Sequence, residues 1–114
     1  MNANRLFLIG FAMGLSIVSM PAHPGGDVAL GQAKTVTCSG CHGSDGMREV
    51  PLWQGGNSHL AGMAAQKFTA ALNSYRFGQR FHPMMQFFVL PMSDKDVEDM
   101  AAYYASLGAS AAQH

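Results

Sequence analysis

The sequence has few charged residues. Its 114 residues include seven Lys or Arg and seven Asp or Glu, so the formal net charge at pH 7 is zero. No basic stripe is present that would follow a phosphate backbone, which argues against a nucleic-acid-binding protein. No polybasic cluster indicates binding to anionic lipid. The charge pattern therefore excludes two large classes of partner.

A hydrophobic run long enough to span a membrane is also lacking. The segment Leu6–Met20 is apolar and broken only by Gly and Ser, but a membrane-spanning helix needs roughly 20 such residues. Arg5 precedes this segment and Ala22 closely follows it, an arrangement typical of a secretory signal peptide. We predict a signal peptide over residues 1–22 and one domain over residues 23–114. A retained N-terminal anchor is the alternative.

Cysteine is scarce, and its placement is the strongest signal in the chain. Only Cys38 and Cys41 occur, and His42 follows directly. Cys-x-x-Cys-His is the signature of covalent haem attachment. Two thiols on one short turn can add to the two vinyl groups along one haem edge, and the next residue then lies under the ring, where its imidazole reaches the iron. We predict one haem c bound through Cys38 and Cys41 and ligated by His42.

The cysteine pair has three other possible interpretations. A structural disulfide is compatible with an oxidising compartment. A thioredoxin-like redox pair requires a βαβ context, and no convincing strand pattern flanks the motif. A zinc site normally needs four ligands, whereas the remaining histidines are scattered: His23, His59, His82 and His114.

The rest of the sequence predicts an all-α domain with three main helices. Asp27 is a helix cap, and the first helix runs from it into the cysteine motif. A second helix begins near Ala64 and ends at Gly78. A third is capped by Ser93 and ends at Gly108. The segment over residues 42–62, rich in Gly and Pro, is predicted to be irregular. The apolar segment over residues 83–91, which begins and ends with Pro, is predicted to be irregular as well.

These residues resemble class I c-type cytochromes over about residues 26–108. The similar segments are GDVALGQAKTVTCSGCHGSDG, HLAGM, LNSYRFGQR and MSDKDVEDMAAYYASL, in the family's order. The resemblance implies that the first and last helices cross beside the haem, with Gly31 and Tyr103 at the crossing. It also implies a carbonyl partner for the ligand histidine at a position usually occupied by Pro, where this chain has Ser58; Pro51 is the alternative.

The second axial ligand is predicted to be a methionine, since His/Met ligation is typical of such carriers. The resemblance places it eight residues before the Ser that caps the last helix, which is Met85. Met84 is the runner-up, and Met92 and His82 are weaker alternatives. The apolar residues Phe87–Leu90 are predicted to wall the haem pocket, and an exposed docking patch is the alternative role for them.

The predicted function is single-electron transfer in the periplasm. Two axial ligands leave no open coordination position, and no acid–base pair or nucleophile lies beside the motif, so we expect a carrier with redox protein partners and no small-molecule substrate. The soluble bacterial periplasmic carriers resemble the chain best. The cytochrome subunit of flavocytochrome c sulfide dehydrogenase is similar too, so a subunit of a flavoprotein complex is one alternative. A haem sensor with an open distal site is the other.

Overall fold

The computed structural model describes residues 25–48, 51 and 59–111, with side chains up to Gly108. This part of the chain contains helices and connecting turns and no strand, which confirms the prediction of an all-α fold. There are five helices in it, two more than the three main ones expected. They are α1 (Val28–Lys34), α2 (Val36–His42), α3 (Ala65–Arg76), α4 (Pro83–Val89) and α5 (Asp94–Ala111).

The first predicted helix is divided in two at Thr35. Asp27 caps α1 as predicted, since its side chain accepts a hydrogen bond from the Leu30 amide at 2.9 Å. The hydroxyl of Thr35 donates to the Gln32 carbonyl at 2.8 Å. Such bonds from Thr to its own backbone compete with continued helix. The cysteine motif therefore lies on a separate short helix, α2.

Helices α1 and α5 cross where Gly31 allows their backbones to meet, as the resemblance implied. A Cβ atom on Gly31 would lie 1.9 Å from the Asp99 carbonyl oxygen and 2.9 Å from the Tyr103 Cβ. No side chain fits this space, so the close approach requires glycine.

Buried charge accompanies this crossing. The Asp99 carboxylate is fully buried, and it accepts from the Asp27 amide at 2.7 Å and from Lys34 at 2.6 Å. Lys95 also contacts it. Burial alone would raise the pKa of Asp99, but the two lysines and the amide together hold that pKa below its ordinary value. Asp96 also pairs with Lys34, at 2.8 Å, and the pKa of Asp96 is lowered to about 2.

Helix α5 begins as predicted but continues beyond its predicted end. The Ser93 hydroxyl accepts from the Asp96 amide at 3.1 Å, and the Asp96 carboxylate accepts from the Ser93 amide at 2.9 Å, a reciprocal arrangement close to a capping box. Gly108 does not terminate the helix, which runs to Ala111. A Cβ on Gly108 would lie 2.6 Å from the Gly62 Cα. This glycine therefore allows α5 to pack closely against Gly62 and does not end the helix.

The prediction of an irregular segment over residues 83–91 is wrong, because most of it forms α4. The His82 side chain caps the helix by accepting from the Met85 amide at 3.3 Å. Pro83 is the first helical residue, where a missing amide costs nothing. Pro91 follows the end of the helix. Prolines that suggested a broken segment therefore mark the two ends of a short helix.

The core is formed where α3, α4 and α5 pack together. Helix α3 spans the predicted range, and Gly78 follows it with a φ of +73°. Most of the apolar side chains of the core belong to α5, and residues of α3 and α4 complete it. The buried apolar side chains are Phe68, Leu72, Val89, Val97, Met100, Ala101, Tyr103 and Tyr104.

Candidate haem site

Helix α2 presents the two thiols of the motif on one side. Cys38 and Cys41 are three residues apart, and residues at this spacing lie above one another on a helix face. Cys38 is half-buried and packs against the core, whereas Cys41 is exposed. Both are free thiols rather than a disulfide. This arrangement fits the attachment of one flat group along one edge, with two thioether bonds a helical turn apart.

The surroundings of Cys38 do not resemble those of a reactive thiol. Burial raises the pKa of the Cys38 thiol, and a hydrogen bond with the hydroxyl of Tyr104 only partly offsets that effect. Redox-active and metal-binding cysteines instead have lowered pKa values. Among the described residues, no three His, Cys, Asp or Glu side chains converge on a metal site. The raised pKa of Cys38 favours haem attachment over the redox-pair interpretation.

His42 is the last residue of α2, and a tight turn closes behind it. Gly43 follows with a φ of +83°, a conformation that favours glycine. The Arg48 amide donates to the His42 carbonyl at 2.9 Å, and its guanidinium donates to the Gly40 carbonyl at 2.9 Å. Arg48 thereby satisfies two backbone carbonyls at the end of α2 and stabilises the turn that follows His42. No motif in the sequence had pointed to Arg48.

One nitrogen of the His42 ring lies in the protein interior. Its Nδ1 atom is inaccessible to solvent. Ligating histidines usually engage one ring nitrogen with the protein while the other binds the metal. Ser58, the predicted carbonyl partner, lies outside the described residues, and Pro51 is exposed.

The candidate axial methionines differ in their placement. Met85 lies on the inner side of α4, half-buried against the core, whereas the Met84 side chain is 58% exposed. Met92 also packs against the core, after the end of α4. His82 uses its Nδ1 in capping α4, and its ring contacts Tyr75 edge-to-face at 6.0 Å.

The apolar residues Phe87–Leu90, predicted to wall the haem pocket, lie on two different faces of α4. Val89 is completely buried and Phe88 is intermediate. Phe87 and Leu90 are instead exposed, at 72% and 64%. Only Phe88 and Val89 of this segment are therefore placed as the predicted wall requires.

None of the helices described is both long and apolar enough to cross a bilayer. The predicted signal segment over residues 1–22 lies outside the described residues.

Comparison with known proteins adds independent information. Cytochrome c-554(548) of Halomonas halodenitrificans is 38% identical over 88 residues, which cover 71% of this chain and 96% of that protein. Cytochrome c4 of Pseudomonas aeruginosa is 34% identical over 103 residues, 90% of this chain and 48% of that protein. Cytochrome c4 of Stutzerimonas stutzeri is 32% identical over 108 residues, 87% of this chain and 49% of that protein. The chain thus spans about half the length of the cytochrome c4 relatives.

A family model supports the same conclusion over most of the molecule. The model described as cytochrome c matches residues 28–108. This range includes the Cys38–His42 motif, the crossing of α1 with α5, and α4 with Met85. The fold, the Cys38–His42 motif and the match agree, and the chain belongs to the cytochrome c family.

Proposed function

We propose that the chain is a periplasmic carrier of single electrons, with His42 and Met85 as the axial ligands of one haem held by Cys38 and Cys41. Membership of the cytochrome c family already makes it an electron-transfer haem protein with covalently bound haem c, and not an enzyme. The proposal adds the ligand set, the compartment and the mode of action. The observation that carries it is that Cys38 and Cys41 lie on one side of α2 with His42 next to them.

The haem, when bound, supplies an iron that alternates between ferric and ferrous states. The chain's residues set the conditions for that exchange. Cys38 and Cys41 would hold the group covalently, and His42 and Met85 would ligate its iron, which would leave no position for a substrate at the metal. The apolar core around Val89 and Met100 excludes water. Axial ligand identity and burial are the main determinants of the reduction potential.

The choice of Met85 rests on its inward position and on the cap that holds its amide. Helix α4 directs Met85 and Val89 to the core, whereas Met84 is largely in solvent. A thioether ligand must leave water and face the bound group. Met85 meets this requirement better than its neighbour.

Paired substitutions test the ligand. We expect Met85→Ala to abolish the methionine–iron charge-transfer band of the oxidised protein and to allow the reduced protein to bind carbon monoxide. Met84→Ala is the matched control, and it should retain the band and resist carbon monoxide. The opposite result would assign the ligand to Met84. A wild-type protein that binds carbon monoxide readily would support the open-site sensor instead.

The finer statements on compartment and partners are part of this proposal. As a cytochrome c, the chain exchanges electrons with redox proteins; that one of them is a flavoprotein subunit is a prediction from the resemblance alone. Purification of the exported, haem-loaded protein tests both points. Its intact mass reports whether residues 1–22 are removed, and a flavin-containing subunit that copurifies stoichiometrically would indicate the complex.

A further inference from the structure

Tyr104 is buried by the protein alone. The residue is 1% exposed, and its ring centroid lies 5.3 Å from that of Phe68. A Cβ on Gly46 would lie 2.9 Å from the same ring, and the Tyr104 carbonyl accepts from the Gly62 amide at 2.8 Å. These contacts come from three other parts of the chain. A bound group can only reduce the exposure further, so the burial of Tyr104 does not depend on the haem.

The Tyr104 hydroxyl forms hydrogen bonds with the side chains of Cys38 and Thr35. Thr35 is 5% exposed and donates its one hydroxyl hydrogen to the Gln32 carbonyl at 2.8 Å. Toward Tyr104 it can therefore only accept, and Tyr104 in turn accepts from the Cys38 thiol, because a hydroxyl has one hydrogen and two acceptor sites. The bonds therefore run in one direction, which starts at the Cys38 thiol and ends at the Gln32 carbonyl.

Haem attachment removes the hydrogen at the start of this series. When the Cys38 thiol adds across a vinyl group, its sulfur bonds to one vinyl carbon and its hydrogen is transferred to the other carbon. The thioether sulfur retains its lone pairs but has no hydrogen to donate. The Tyr104 oxygen then loses its donor in a site closed to water, where polar groups are rarely left without a partner. This step rests on the proposed function, which assigns the attachment to Cys38.

Reversal of the bonds restores a donor to each of these buried acceptors. If the Thr35 hydroxyl turns to the Tyr104 oxygen, the Tyr104 hydroxyl is free to donate to the sulfur of Cys38. The Gln32 carbonyl does not lose its only donor, because the Thr35 amide also donates to it, at 3.3 Å. Without reversal, the Tyr104 oxygen and the sulfur would both lack a donor. The reversed direction therefore satisfies more of these atoms.

We propose that Tyr104 is a positioning residue for the attached haem, and that its hydroxyl donates a hydrogen bond to the thioether sulfur of Cys38. Tyr104 belongs to α5 and Cys38 to α2, so this bond fixes one edge of the haem relative to the helix that crosses α1. A donor on the sulfur also withdraws electron density from the edge of the haem, which favours the ferrous state and raises the reduction potential. Hydrogen bonding around a bound haem is one means by which proteins adjust that potential.

The reduced, haem-loaded protein provides the test. Proton NMR should show a slowly exchanging Tyr104 hydroxyl hydrogen close to the β hydrogens of Cys38. Tyr104→Phe retains the buried ring and removes the hydroxyl, so it should lose this signal and shift the reduction potential to a lower value. Tyr103→Phe is the matched control, because it makes the same change at the preceding residue of α5, and it should keep both. Thr35→Val removes only the other partner of Tyr104, so the signal and the potential should remain.

The outcomes separate this role from a purely structural one. A lower potential in Tyr104→Phe, with Tyr103→Phe and Thr35→Val at the wild-type value, would support the proposal. An unchanged potential in Tyr104→Phe would overturn it, even with a loss of stability, as would a hydroxyl hydrogen that lies close to Thr35 alone. Covalent haem and the charge-transfer band report the proposed function separately, since neither requires the Tyr104 hydroxyl.

Discussion

The two regions that carry the proposed axial ligands are stabilised differently. The region of α1, α2 and α5 depends on a glycine contact at Gly31 and a buried carboxylate at Asp99. The region of α3 and α4 depends on apolar packing around Val89, with one side-chain cap at His82. The first is built from contacts that tolerate no change in size or charge. The region of α3 and α4 depends on apolar packing, which tolerates conservative changes in side-chain size more readily.

The largest expected effect concerns α2. Replacing both Cys38 and Cys41 with Ala removes the two covalent attachments, so we expect complete loss of covalently bound haem. Intact mass spectrometry after denaturation provides the measurement. Ser39→Ala, on the same helix, should retain the haem. Covalent haem in the double variant would refute the assignment of the motif.

The helix crossing should be the next most sensitive point. Gly31→Ala places a methyl group 1.9 Å from the Asp99 carbonyl oxygen, and relief requires the helices to separate. We expect a loss of about 3 kcal/mol in the free energy of unfolding, measured by denaturant titration. Gly40→Ala is the control, because nothing lies within 4 Å of its Cβ position. Equal stability of the two variants would contradict the crossing.

The buried carboxylate should give this region a dependence on pH. Because the pKa values of Asp99 and Asp96 are lowered in the folded protein, the stability they contribute is present above about pH 4, the ordinary range of Asp, and is lost as the pH falls toward 2. We expect Asp99→Asn to cost about 3 kcal/mol at pH 7 and to flatten the acid limb of the stability profile.

The exposed neighbour Glu98 provides the control for that experiment. Glu98→Gln removes the same charge without removing a buried contact, so its acid profile should match that of the wild type. A profile unchanged in Asp99→Asn as well would show that the buried network does not link folding to pH.

The smallest effect is expected in the α4 region. His82→Ala removes the cap that accepts from the Met85 amide, and loss of a cap costs about 1 kcal/mol. The methionine–iron band should weaken under mild denaturant before global unfolding occurs. His82→Asn retains a capping side chain and should restore the band. If His82→Ala and the wild type lose the band at the same denaturant concentration, the cap does not position Met85.

Much of this architecture was predictable because the signals are local. Asp27 and Ser93 cap their helices through bonds within three residues, and the Cys38–His42 motif lies on one short helix. The sequence does not predict α4, because Pro83 and Pro91 are typical of a broken segment, whereas one begins the helix and the other follows it. Gly108 was interpreted as a helix end for a similar reason. Its contact with Gly62 is distant in sequence, and no local pattern distinguishes a terminating glycine from a packing one.

The sequence by itself determined the class of cofactor and the helical class, because both depend on residues within a turn of one another. Only the tertiary structure decided which side of α4 faces the core, and therefore that Met85 lies inward and Phe87 outward. It also decided that the Asp99 carboxylate is buried and in contact with two lysines, Lys34 and Lys95. Burial is a property of neighbours brought from elsewhere in the chain, and the spacing of residues along one helix does not specify which neighbours those are.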